Sequence, residues 1–72
     1  MSQKIKNPTA SQIVGANLKK LLKANKLTQE EFAERFGTTP RTVRRWIRSF
    51  PNLETLEQLA CFFEVPITDF FL

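Results

Sequence analysis

Four arginines, Arg41, Arg44, Arg45 and Arg48, crowd into one short stretch that contains no acidic residue. A guanidinium is permanently charged and presents its N–H donors as a fixed planar fork. It can therefore bond O6 and N7 of one guanine together, or grip a phosphate in the same two-pronged way. The wider charge distribution points in the same direction. All eleven Lys and Arg lie between Lys4 and Arg48 with three acids among them, whereas from Ser49 onward there are four acids and no base. A chain polarised like this has one basic end, the electrostatic footprint of a polyanion binder.

Other chemistries lack their reagents. The chain has no His, no Tyr and a single Cys, which leaves no general base and nucleophile to pair, so an enzyme is not expected. No residues show metal-ligand spacing, and neither a metal nor another cofactor is expected. Cys61 reads as a small apolar residue packed within a helix. No apolar run reaches membrane-spanning length and the polar start has no signal-peptide core, which makes the cytoplasm the expected location.

The arginines need a frame. Seventy-two residues suffice for one domain, whose thin core leaves about 40% of the unfolded chain's surface exposed. Residues 1–8 are polar, carry Lys4 and Lys6 and end in Asn-Pro, and read as a flexible basic arm. Residues 9–72 read as the folded domain, and it is all helical, because no stretch sustains a period-2 alternation. Thr9 with Gln12 has the spacing of a capping box for a first helix, whose apolar face is Val14, Leu18, Leu21 and Leu22. That helix is expected to end near Asn25. Thr28 and Glu31 make a second capping box, with Leu27 stapled onto Phe32, and Gly37 stops the second helix. Thr39 caps a third helix with Pro40 at its first position, burying Val43, Trp46 and Ile47 opposite the arginines. A fourth helix, capped by Asn52, is expected to bury Leu53, Leu56, Leu59, Ala60 and Phe63. Pro66 breaks the chain before a last turn, Ile67 to Leu72.

The run from Leu27 to Trp46, with Gln29, Ala33, Gly37, Val43 and Trp46 at its key places, resembles the helix-turn-helix of the phage repressor/Cro (Xre-type) family. The segments Asn52 to Ala60 and Val65 to Phe71 are similar to the two helices that follow it in that family. The resemblance spans residues 10 to 72. It implies a lambda-repressor-like bundle of four main helices plus a short fifth, with the helix-turn-helix at helices 2 and 3. It also implies a sequence-specific double-stranded DNA-binding transcriptional regulator, a repressor, that inserts helix 3 into the major groove. Transferred position by position, the base contacts fall on Thr39, Pro40, Arg41 and Arg45. The phosphate contacts fall on Gln29 and Arg48, and Arg44, lying between faces, suits either a phosphate or plain solvation.

The chain departs from the family's pattern at several places. Pro40 replaces a polar side chain, so only an apolar contact, such as one to a thymine methyl, is open to it. Ile47 and the run Ser49-Phe-Pro do not match the family's loop. Glu64 stands where a helix-ending Gly is common and is expected to lengthen helix 4. Phe62, Phe70, Phe71 and Leu72 form an apolar surplus that suits a weak homodimer on a palindromic operator. The same surplus also suits a protein-interaction module, such as an antitoxin or a polymerase-contacting partner.

Overall fold

The computed structural model describes residues 9–72, so the basic arm expected over 1–8 lies outside the described residues. Four α-helices follow in order, α1 (Ala10–Ala24), α2 (Gln29–Phe36), α3 (Pro40–Arg48) and α4 (Leu53–Phe63), and then a 3-10 helix, Ile67–Phe71. There is no strand among the described residues, and the all-α architecture is the expected one.

Local chemistry sets where each helix begins. At α1 the Thr9 hydroxyl accepts from the Gln12 N–H at 3.2 Å while the Gln12 side chain accepts from the Thr9 N–H at 3.0 Å. Thr28 and Glu31 repeat this reciprocal pair at α2, at 3.0 and 2.9 Å. Asn52 caps α4 through the Thr55 N–H at 2.8 Å. Each cap satisfies a backbone donor that the first turn of a helix leaves without a partner.

Three helix ends share one device. A residue in the left-handed region turns the chain, and the next N–H reaches back to the carbonyl five residues earlier: Leu27 to Leu22, Thr38 to Ala33 and Val65 to Ala60, at 2.8–3.0 Å. These bonds satisfy carbonyls that the helix end would otherwise leave bare. Only one of the three turning residues is glycine: Gly37 has φ 92°, while Lys26 and Glu64 both have φ 57°. A β-carbon on Gly37 would meet nothing within 4 Å, so backbone conformation, not space, requires glycine there. Helix α1 ends where expected, at Ala24 with Asn25 as its cap; Asn25 has φ −96°, its side-chain amide donates to the Leu21 carbonyl at 2.8 Å, and the left-handed turn falls to Lys26. One expectation is corrected. Glu64 does not lengthen α4, because it adopts the conformation a glycine would have taken and ends the helix at Phe63.

The core draws on every element: Val14, Leu18 and Leu22 from α1, Phe32 and Ala33 from α2, Val43 from α3, Leu56, Leu59 and Ala60 from α4, and Phe70 from the 3-10 helix. Phe32 is its aromatic centre, stacked on Phe36 and Phe63 and meeting Phe62 edge-on, with centroids 5.2–5.6 Å apart. Burying a side chain of this size contributes about 1.5–3 kcal/mol. Trp46 is half-buried at the rim, edge-on to Phe36 at 5.7 Å and tilted over Phe50 at 5.6 Å.

The apolar side chains of the C-terminal third differ from expectation. Phe50 and Phe70 are buried, and Phe62 and Phe63 pack against the core from partly covered positions. Phe70 and Phe62 are therefore not the free apolar surface anticipated for a dimer. The Asn17 amide, itself buried, donates to the Phe70 carbonyl at 2.7 Å and ties the 3-10 helix to α1. Leu53 at the start of α4 is 63% exposed, and Cys61 lies on the outer face of that helix, not in the packing.

Holding a non-glycine residue left-handed costs about 1–2 kcal/mol, of which glycine gives back part through its greater freedom when unfolded. Glu64→Gly is therefore expected to stabilise the domain by about 0.5–1 kcal/mol. A rise in the urea midpoint for Glu64→Gly, with none for Glu64→Ala, checks it. Equal midpoints for all three chains would show that the turn at Glu64 carries no strain.

Candidate nucleic-acid interface

Helix α3 divides cleanly. At 3.6 residues per turn, Arg41, Arg44, Arg45 and Arg48 fall within an arc of about 100°, with Val43 on the far side of the helix. Val43 is fully buried, Trp46 and Ile47 are half-buried, and all four arginines are exposed. The stripe from Arg41 to Arg48 rises about 10 Å along the axis, and Arg45 and Arg48 line one shallow depression with Ser49. Packing of the apolar face thus fixes the direction in which the guanidinium groups project.

The cap of α3 explains the residues before the arginines. The Thr39 oxygen accepts from the Thr42 N–H at 3.2 Å and its hydroxyl donates to the Thr42 hydroxyl at 3.0 Å. Thr42 is half-buried beside the arginine stripe and was not among the expected site residues. The i, i+3 spacing of two threonines at a helix start was the signal for it. Pro40 occupies the first turn and is half-buried, offering ring carbons only. Of the expected base-reading positions, Thr39, Pro40 and Arg41 lie together at the N-terminal end of α3, and Arg45 lies about one turn further on, on the same exposed side as Arg41 and in the last turn of the helix.

The two helix starts of the motif differ electrostatically. The first turn of α2 holds Glu30 and Glu31, whereas the first turn of α3 holds no acid. The Thr28 backbone N–H, and after it the Thr28 side chain, hold the Glu31 carboxyl below the usual glutamate range, with desolvation opposing and Arg35 adding a smaller pull. Glu31 thus stays ionised and already neutralises the positive end of α2's dipole. Gln29, half-buried, occupies the first position of α2 beside these carboxylates. At α3 the dipole is unopposed and adds to the arginines, while Arg45 and Arg48 in the last turn complement its negative end.

A positively charged helix, held by its apolar side against a second helix and turned outward across a glycine-containing bend, defines the helix-turn-helix class of DNA-binding folds. A helix-turn-helix family model matches residues 18–70. The chain belongs to this Xre, lambda-repressor-like family, a family of DNA-binding regulators. Among curated proteins, none matches the sequence. No helix among the described residues is long and apolar enough to cross a membrane.

Proposed function

We propose that this protein is a sequence-specific transcriptional repressor that lays α3 in the major groove of double-stranded DNA. The observation that carries the reading is the exposed arginine stripe opposite the fully buried Val43. The major groove is about 12 Å wide and admits one α-helix, and within it each base pair has a distinct donor and acceptor pattern. Enclosed by groove walls, the stripe divides by reach. Arg41 in the first turn of α3 and Arg45 one turn later extend to base edges, together with Thr39 and the ring of Pro40. Arg48 at the end of α3, Arg44 at the edge of the stripe and the Gln29 amide lie where phosphates line the groove. A repressor then acts by occupying its site in a reducing cytoplasm, with no cofactor.

The reading includes a weak homodimer on a palindromic operator, whose half-sites lie about 34 Å apart on one DNA face. Phe71 and Leu72, at 45% and 88% exposed, together with Leu53, replace Phe70 and Phe62 as the apolar surface for it. Phe71 and Leu53 border an apolar groove floored by Val14, Phe50 and Leu56. Sedimentation of the chain alone and with operator DNA tests this part. A monomer alone and two chains per palindrome are expected; one chain per palindrome at saturation contradicts the dimer.

The division among the arginines is tested by affinities for single-base operator variants at several salt concentrations. The operator is first obtained by selecting bound sequences from a random DNA pool. Arg45→Ala is expected to lose about 1–3 kcal/mol of discrimination at one base pair of each half-site, a guanine pair. Arg48→Ala is expected to weaken all variants alike and to reduce the magnitude of the salt slope by about 0.9. If Arg45→Ala weakens every variant equally, Arg45 does not read a base.

A further inference from the structure

Glycine at position 15 is out of place by every local rule. It sits in the middle of α1 (Ala10–Ala24), on the buried face, where glycine favours a helix less than alanine does. Its backbone is ordinary, since the only left-handed residues among those described are Lys26, Gly37 and Glu64. Conformational freedom therefore does not account for it. Space does. A β-carbon built on Gly15 would overlap the Ile47 carbonyl oxygen and would lie 2.5 Å from the Trp46 carbonyl oxygen and 2.7 Å from the Ile47 carbonyl carbon. All three are backbone atoms, so no side-chain rotation can relieve the contact.

These carbonyls belong to the last turn of α3, where helix oxygens lack partners within the helix. The Ser49 N–H takes the Arg45 carbonyl, and the next two carbonyls face α1 at Gly15. A glycine α-hydrogen occupies the place of the missing β-carbon and is a weak donor to such oxygens. The two helices thus approach backbone to backbone where Gly15 meets the carbonyls of Trp46 and Ile47, the two residues between Arg45 and Arg48.

We propose that Gly15 is the positioning residue for the DNA-reading helix: its missing side chain sets the depth and tilt at which the C-terminal half of α3 rests on the domain. The inference builds on the reading of α3 as the major-groove helix. Carbon–oxygen contacts settle at about 3.3–3.6 Å, so a methyl group at Gly15 drives the end of α3 outward by about 1 Å. Base-reading side chains keep their bonds only within about 0.5 Å of the right geometry. Attraction to phosphates, which depends on charge over longer distances, survives such a shift.

The test uses the full chain with Gly15→Ala, and Ala60→Gly on α4 as a control that destabilises the same core from a different helix. Affinity is measured for the selected operator, for the operator changed at the base pair assigned to Arg45, and for random DNA. Gly15→Ala is expected to cut discrimination at that base pair by about tenfold or more, while affinity for random DNA changes by less than about twofold. The emission of Trp46, the only tryptophan, is expected to shift in Gly15→Ala and not in Ala60→Gly. If Gly15→Ala does not fold in buffer, both variants are measured in trimethylamine N-oxide, which favours compact states. A Gly15→Ala chain that stays unfolded where Ala60→Gly refolds makes Gly15 a folding residue and overturns the proposal. So does a folded Gly15→Ala chain with undiminished discrimination. A wild-type chain that selects no sequence removes the reading of α3 itself, and the positioning role with it; a discriminating wild type beside an equally discriminating Gly15→Ala removes only the latter.

Discussion

A helix of nine residues, such as α3, is too short to persist in water by itself, since isolated helices are marginal below about 12–15 residues. It exists because its apolar face has a surface to lie on. Val43 is sealed into the core, and Trp46 bridges Phe36 and Phe50 at the rim. The same contact that makes α3 stable turns its arginines outward. Stability and presentation of the charged face are therefore one interaction, and the surrounding helices can be understood as the platform that this interaction needs. The aromatic cluster around Phe32 stiffens the platform, and the Asn17 bond to the Phe70 carbonyl closes it below with the 3-10 helix.

The charge layout follows the same division. An arginine and an unopposed helix dipole meet at the start of α3, while the start of α2 carries its own carboxylates. Acids populate α4 and the 3-10 helix, on the C-terminal portion of the chain. Such a molecule approaches a polyanion in a preferred orientation, because long-range attraction and repulsion act on opposite parts of it. In the proposed complex, Arg41, Arg44, Arg45 and Arg48 supply the short-range contacts once the helix is aligned.

Much of this was legible in the sequence because it rests on local rules. Thr9, Thr28, Thr39 and Asn52 announce their helices through side chains that reach only three residues, and each does cap the helix expected of it. The stripe of arginines opposite Val43 follows from helical periodicity alone. What escaped depends on contacts between distant residues. Phe70 is apolar and near the end of the chain, and nothing local distinguishes a buried phenylalanine there from an exposed one. Its backbone is tied to α1 by Asn17, 53 residues away in sequence. Leu53, expected to be buried, is exposed for a similar reason: the loop before α4 places Phe50 in the core, where its N–H bonds the Ser11 carbonyl of α1 at 3.2 Å, and leaves Leu53 outside. Glu64 shows the opposite failure. A local rule asked for glycine, and the backbone took the left-handed turn with a glutamate in place.

The central claim is that α3 occupies the major groove, and chemical interference on the selected operator tests it most directly. Methylation at guanine N7 blocks the major groove, whereas methylation at adenine N3 blocks the minor groove. The account predicts that N7 methylation of the half-site guanines abolishes binding and that N3 methylation of neighbouring adenines leaves it intact. Binding that tolerates every N7 methyl group, or that is lost to N3 methylation alone, would contradict it.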